Sequence, residues 1–179
     1  MMTSVVVDFY SGGTDDEGRT LEQILAWDDE RLERVHDYIQ WLFPTRRPSG
    51  VNPSAPLVTD DDVGAFARDA ALRDGLRAAF DRMLTFYGMR RVGDRIEIDP
   101  VRFSSRAPLW LHPGNHNHLR LTRIMESAAT LGLIHDARAL QRCLLDDVCG
   151  GPFGNRVTTR TKVFRQRAHS QHPARDPSR

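Results

Sequence analysis

Asp69-Ala70-Ala71-Leu72-Arg73-Asp74-Gly75-Leu76-Arg77-Ala78-Ala79-Phe80-Asp81-Arg82-Met83-Leu84-Thr85-Phe86-Tyr87-Gly88 is the stretch that decides the fold class. Its apolar residues Leu72, Leu76, Phe80, Met83, Leu84 and Tyr87 recur at the spacing of one helical face. Asp69 can cap the first turn, and Gly88 is the residue expected in the left-handed position past the last. The spacing predicts a helix over 70–87, the longest in the chain. Gly75 inside it costs roughly 1 kcal/mol against alanine and counts against the helix.

Upstream, Thr20 with Gln23 fits a capping box, and Leu21, Ile24 and Leu25 supply a short apolar face. Asp28 caps a second predicted helix with Leu32, Val35, Ile39 and Leu42 on one stripe, stopped by Pro44. Four prolines between Pro44 and Pro56 then favour an extended connection. Thr59 with Asp62 starts a short helix through Phe66. Val5 to Tyr10 reads as a strand or packed arm.

Downstream, Val92-Gly93-Asp94-Arg95 fits a two-residue turn, and Ile96 and Ile98 alternate with polar neighbours, so a small hairpin is expected. The three prolines at 100, 108 and 113 make 99–114 read mostly as loop. Asn115 is placed to cap a helix to about Leu131, and Asp136 one to about Val148. The expected architecture is all-α: a single domain over 5–149 with five to six helices and at most one small hairpin. Residues 150–179 form a basic tail whose composition predicts disorder.

The 179 residues are 40% apolar and 27% charged, ordinary for one globular domain. No apolar run approaches the ~20 residues of a membrane span. Val5-Val6-Val7 is followed at once by Asp8, too short a run for a signal peptide. With only Cys143 and Cys149, a reducing cytoplasm is the expected compartment. The net charge of +1 hides a mildly acidic body and an arginine-rich tail. Arg156, Arg160, Lys162, Arg165 and Arg167 in that tail could neutralise phosphates, so non-specific nucleic-acid association is the alternative function. The tail could also touch anionic lipid peripherally.

Two segments stand out as candidate site. Tyr38-Ile39-Gln40-Trp41-Leu42-Phe43-Pro44 is apolar nearly all round and reads either as a core anchor or as the aromatic wall of a pocket, in which Tyr38 and Trp41 offer aromatic contact and Gln40 a polar group. In His112-Pro113-Gly114-Asn115-His116-Asn117-His118-Leu119-Arg120-Leu121-Thr122-Arg123, a helix start bears His116, Asn117, Arg120 and Arg123, which suit an anionic group. His116 and His118 point about 200° apart on a helix and cannot share one ion, so no metal site is expected. No phosphate loop, nucleophile elbow or paired-cysteine motif is present, no catalytic residue is assigned, and no cofactor is called for.

These segments resemble the conserved domain of the opioid growth factor receptor family. The likeness runs through Phe9-Tyr10, Asp37 to Pro44, Pro56-Leu57, Thr59 and Phe66. It continues through Met83 to Gly88, His116-Asn117, Leu119-Arg120, Thr122-Arg123-Ile124 and Leu131-Gly132. It covers about Phe9 to Val148. His118 stands where the family leads one to expect asparagine. The resemblance implies a mostly helical, receptor-like domain linked to the pentapeptide methionine enkephalin, in a family associated with membrane and nucleus. Every basic residue except Lys162 and the histidines is arginine, which fits a GC-rich genome and a bacterial member. The function expected is a non-enzymatic binding module for a short peptide or small anionic ligand.

Overall fold

The structure, a computed structural model, describes residues 4–50 and 52–150. The basic tail, with Arg156, Arg160, Lys162, Arg165 and Arg167, lies outside the described residues. The domain is all-α, with one two-stranded antiparallel sheet.

Nine α-helices appear among the described residues, more than the five or six expected. One source is α1 (Val5–Tyr10), which is a helix and not a strand. Ser4 Oγ accepts from the Val6 N–H at 3.2 Å, and Val6, Phe9 and Tyr10 turn inward. In α2 (Leu21–Leu25) both arms of the Thr20–Gln23 capping box form, at 2.9 and 3.3 Å.

The stripe from Leu32 to Leu42 is not one helix. It is split into α3 (Asp29–Arg34), which Asp28 caps, and α4 (Tyr38–Leu42). Val35 is extended between them. The carbonyls freed by this break find a donor elsewhere in the chain, as described below. The proline-rich connection returns with an isolated parallel bridge between Thr45 and Leu57.

α5 (Asp60–Arg68) carries the Thr59–Asp62 capping box. α6 (Ala70–Tyr87) has the bounds expected from its stripe, and packs against α1, α2, α5, α7, α8 and β1. Gly75 is explained by α1 and α2. A Cβ there would lie 3.2 Å from both Leu21 Cδ2 and Tyr10 Cδ1. Gly88 has φ 78°, and its missing Cβ would sit 2.7 Å from Phe103 Cα. It therefore ends α6 and lets the next helix approach.

β1 (Met89–Val92) and β2 (Arg95–Ile98) pair with Met89 opposite Ile98 and Val92 opposite Arg95. Gly93 has φ 57° and Asp94 does not have a positive φ, as a two-residue turn with glycine first requires.

The segment expected to be loop is α7 (Pro100–Trp110). Pro100 occupies the first turn, where no N–H is needed, and Asp99 Oδ1 caps Val101 and Arg102. Pro108 lies in the last turn. Phe103, Ala107 and Trp110 form a buried stripe, and Trp110 Nε1 donates to the Tyr87 carbonyl at 3.2 Å. Packing of that stripe on α6 outweighs the one backbone bond Pro108 removes.

α8 (Asn117–Thr130) starts one residue later than expected, with His116 and not Asn115 at the cap position. Asn115 Oδ1 still accepts from the Asn117 N–H at 2.9 Å. α9 (Ile134–Cys143) starts before Asp136, and the chain continues as a π-helical turn over Leu144–Cys149. Asp136 does not cap it: its carboxylate turns to Arg91.

Candidate binding groove

The two segments singled out in the sequence meet. α8 lies across the ends of α3 and α4, and its arginines satisfy the carbonyls those ends leave free. Arg120 is 5% exposed. Its Nη1 donates to the Leu32 carbonyl at 3.0 Å and its Nη2 to the Val35 carbonyl at 2.8 Å. Nη2 also donates to His36 Nδ1 at 3.1 Å, so that nitrogen is unprotonated. One turn on, Arg123 Nη1 donates to the Phe43 carbonyl at 3.2 Å and lies 3.4 Å from Thr45 Oγ1. Burial lowers the Arg123 pKa. Positive donors at two helix C-termini complement the helix dipoles as well as the orphan carbonyls.

Asn117 ties this contact to the core. It is fully buried, and its amide nitrogen donates to Glu33 at 3.0 Å. Its oxygen accepts from Tyr87 Oη at 3.2 Å and Arg120 Nη1 at 3.3 Å. His116 stands at the edge, with Nε2 3.4 Å from Glu33 and its ring 4.9 Å from that of His36. Burial, then the Arg120 cation, lowers its pKa.

Above this layer lies a groove of about 510 Å³ between α4 with its following loop and α8. Gln40, His116, Arg120 and Arg123 line it, with Ile39 and Leu119 as apolar wall. Leu119 is 63% exposed. Arg47 Nη2 reaches Glu126 across one rim, at 3.1 and 3.2 Å. Gln40 is buried, its amide nitrogen oriented to donate to the Asp37 and His36 carbonyls at 2.7 and 3.1 Å.

Three expected site residues lie elsewhere. Tyr38 is fully buried, donates to the Leu32 carbonyl at 3.0 Å and stacks edge-on against Trp27. Trp41 packs on Phe9 at 5.6 Å between ring centres. Asn117 lies beneath the groove, among the buried groups just described. The helix these aromatics sit on is apolar nearly all round, so its largest side chains go to the core. Ile39, Arg47, Leu119 and Glu126 were missed. Leu119, an apolar residue among polar neighbours at a helix start, was the available signal. Among the described residues no group of three or more His, Cys, Asp or Glu is arranged to hold a metal ion.

Ile39 and Gln40 on one side of the groove, and His116, Leu119, Arg120 and Arg123 on the other, belong to the pieces that carry the family likeness. The opioid growth factor receptor conserved region matches residues 4–150. The chain belongs to the opioid growth factor receptor family. It is 40% identical over 135 residues to the mouse opioid growth factor receptor, covering 73% of this chain and 21% of the mouse protein. It is 39% identical over 140 residues to the human receptor, covering 73% and 20%. Mouse opioid growth factor receptor-like protein 1 is 34% identical over 125 residues, covering 65% and 25%. The chain thus spans about a fifth of the receptors it matches. No solved structure matches it. Among the described residues no helix of this family member is long and apolar enough to cross a membrane.

Proposed function

We propose that this domain is a non-enzymatic binding module whose groove between α4 and α8 takes a short peptide. The carrying observation is the groove itself, with an apolar wall of Ile39 and Leu119 beside the charges of Arg47, Glu126 and Arg123. Peptide sites combine apolar contact with a few placed polar groups. The Arg47–Glu126 pair can open to receive a peptide's carboxylate on one side and its amine on the other, since an exposed pair holds itself together weakly. Arg120 is not a ligand contact in this reading. Its donors already serve backbone carbonyls, so it positions the groove. The receptor names of the relatives favour binding over catalysis.

The test is fluorescent methionine enkephalin titrated into the chain and into Leu119→Asp. Leu119 is exposed, so the substitution leaves the core intact. Saturable binding that weakens at least tenfold in the variant supports the groove. Binding unchanged by Leu119→Asp removes the groove as the site. Absence of binding removes this peptide as its ligand.

A further inference from the structure

A second concave site lies on another face, between α6, β1 and α9. It encloses about 600 Å³ and is lined by Arg77, Arg91, Arg138, Arg142 and His135, with Asp94 and Asp136 as its acids. The arginines are not equivalent. Arg91 is saturated: it holds Asp81 at 2.7 Å and also pairs with Asp136. Its single charge is shared between those two carboxylates, so Arg91 has none to spare for a ligand. Arg77 pairs at 3.0 Å with Asp74, in water. Arg138 and Arg142 are exposed and form no ion pair among the described residues. Arg142 makes none even with Asp146, four residues on, in the π-helical turn.

His135, Arg138 and Arg142 fall at i, i+3 and i+7, so they share one stripe of α9. Arg138 has Arg142, not an acid, at i+4, and like charges at that spacing destabilise a helix slightly. The body of the chain is otherwise mildly acidic, so this local excess is not a general basicity. Elsewhere in the fold, buried arginine donors end on backbone carbonyls, as at Arg120 and Arg123. Here two forked cations line one cavity with no acceptor among the described residues. Four arginines against two aspartates leave the concave lining with an excess of positive charge, which draws counter-ions of the other sign.

We propose that this cleft binds the phosphoryl group of a small phosphorylated molecule, held by Arg138 and Arg142 with Arg77 behind them. Several guanidinium forks suit an anion that offers three or more oxygens and two charges, better than they suit a single carboxylate. The volume exceeds that of phosphate alone and leaves room for a compact organic group. The site is separate from the peptide groove and stands or falls without it.

Inorganic pyrophosphate is the probe, titrated by calorimetry into the full chain at fixed ionic strength. The expected result is saturable one-to-one binding. It weakens at least tenfold in the double variant Arg138→Gln/Arg142→Gln and is unchanged in Arg34→Gln, a surface arginine on α3. Both sets of side chains are exposed, so folding is not at stake, and circular dichroism confirms it. Binding that survives the double variant would place the anion elsewhere, including the basic tail, and overturn the proposal. So would equal weakening by Arg34→Gln, which signals bulk charge alone. So would no saturable heat with pyrophosphate while a DNA duplex binds, which signals polyanion association.

Discussion

Arg120 Nη2 lies 2.8 Å from the carbonyl oxygen of Val35, 85 residues earlier in the chain. That bond closes the gap between α3 and α4. It is why one apolar stripe over 32–42 is two helices. A continuous helix would satisfy these carbonyls locally. In the fold they are freed and bound by a cation from α8.

Replacing Arg120 with methionine keeps the bulk and removes the donors. It strands the Val35 carbonyl and takes one of two donors from the Leu32 carbonyl, which keeps Tyr38 Oη, and from Asn117 Oδ1, which keeps Tyr87 Oη. At about 1–3 kcal/mol for the one stranded group, with about 1 kcal/mol for the bonds lost at the other two acceptors, a loss of about 2–4 kcal/mol is expected in urea unfolding. Arg120→Lys recovers little, because one ammonium does not reproduce the fork. A loss below about 1 kcal/mol would show that the contact is not structural.

Gly88→Ala places a Cβ against the Phe103 backbone and forces alanine into the left-handed region. The conformation alone costs about 1–2 kcal/mol. With the backbone clash added, a loss of roughly 3 kcal/mol is expected. Gly93→Ala, with open space at its Cβ, should cost only the conformational part. Equal losses at the two sites would argue against close packing at Gly88.

His116 has its pKa lowered in the folded state, chiefly by burial and then by Arg120. The unfolded chain takes up a proton at about 6.5 while the folded one resists. Stability from this group is therefore complete above that pH and is lost as pH falls through it. The urea midpoint should drop between pH 7.5 and 5.5, and drop less in His116→Gln. An identical drop in both proteins would assign the effect to other groups.

Cys143 is buried beside Met89, and burial, then Asp147, pushes its thiol up to about 12. The native thiol should resist Ellman's reagent at pH 8, and react at least a hundredfold faster in urea. Comparable rates in both conditions would show that the α9 region opens readily.

The helix over 70–87 was legible because its apolar spacing, cap and terminating glycine all agree, and each is a local property of the chain. The Thr20–Gln23 and Thr59–Asp62 boxes and the Gly93 turn were legible for the same reason. α7 is hard to read locally because three prolines lie in or beside it and prolines ordinarily break helices. Yet Asp99-Pro100 is a helix start, and Phe103, Ala107 and Trp110 keep helical spacing. The break at Val35 carried no local signal at all.

The candidate groove divides the same way. The two unusual segments are visible in the chain alone, because rare clusters of aromatic and polar residues show in one dimension. Their roles depend on which distant helices they meet. The fold buries Tyr38, Trp41 and Asn117, turns Arg120 and Arg123 onto carbonyls, and leaves Leu119 exposed at the groove above the buried Ile39. The physical reason is that a guanidinium has donors but no preference of its own between a ligand's oxygen and a backbone carbonyl. Which it meets depends on where distant helices end, and that is fixed by core packing across 80 or more residues of chain.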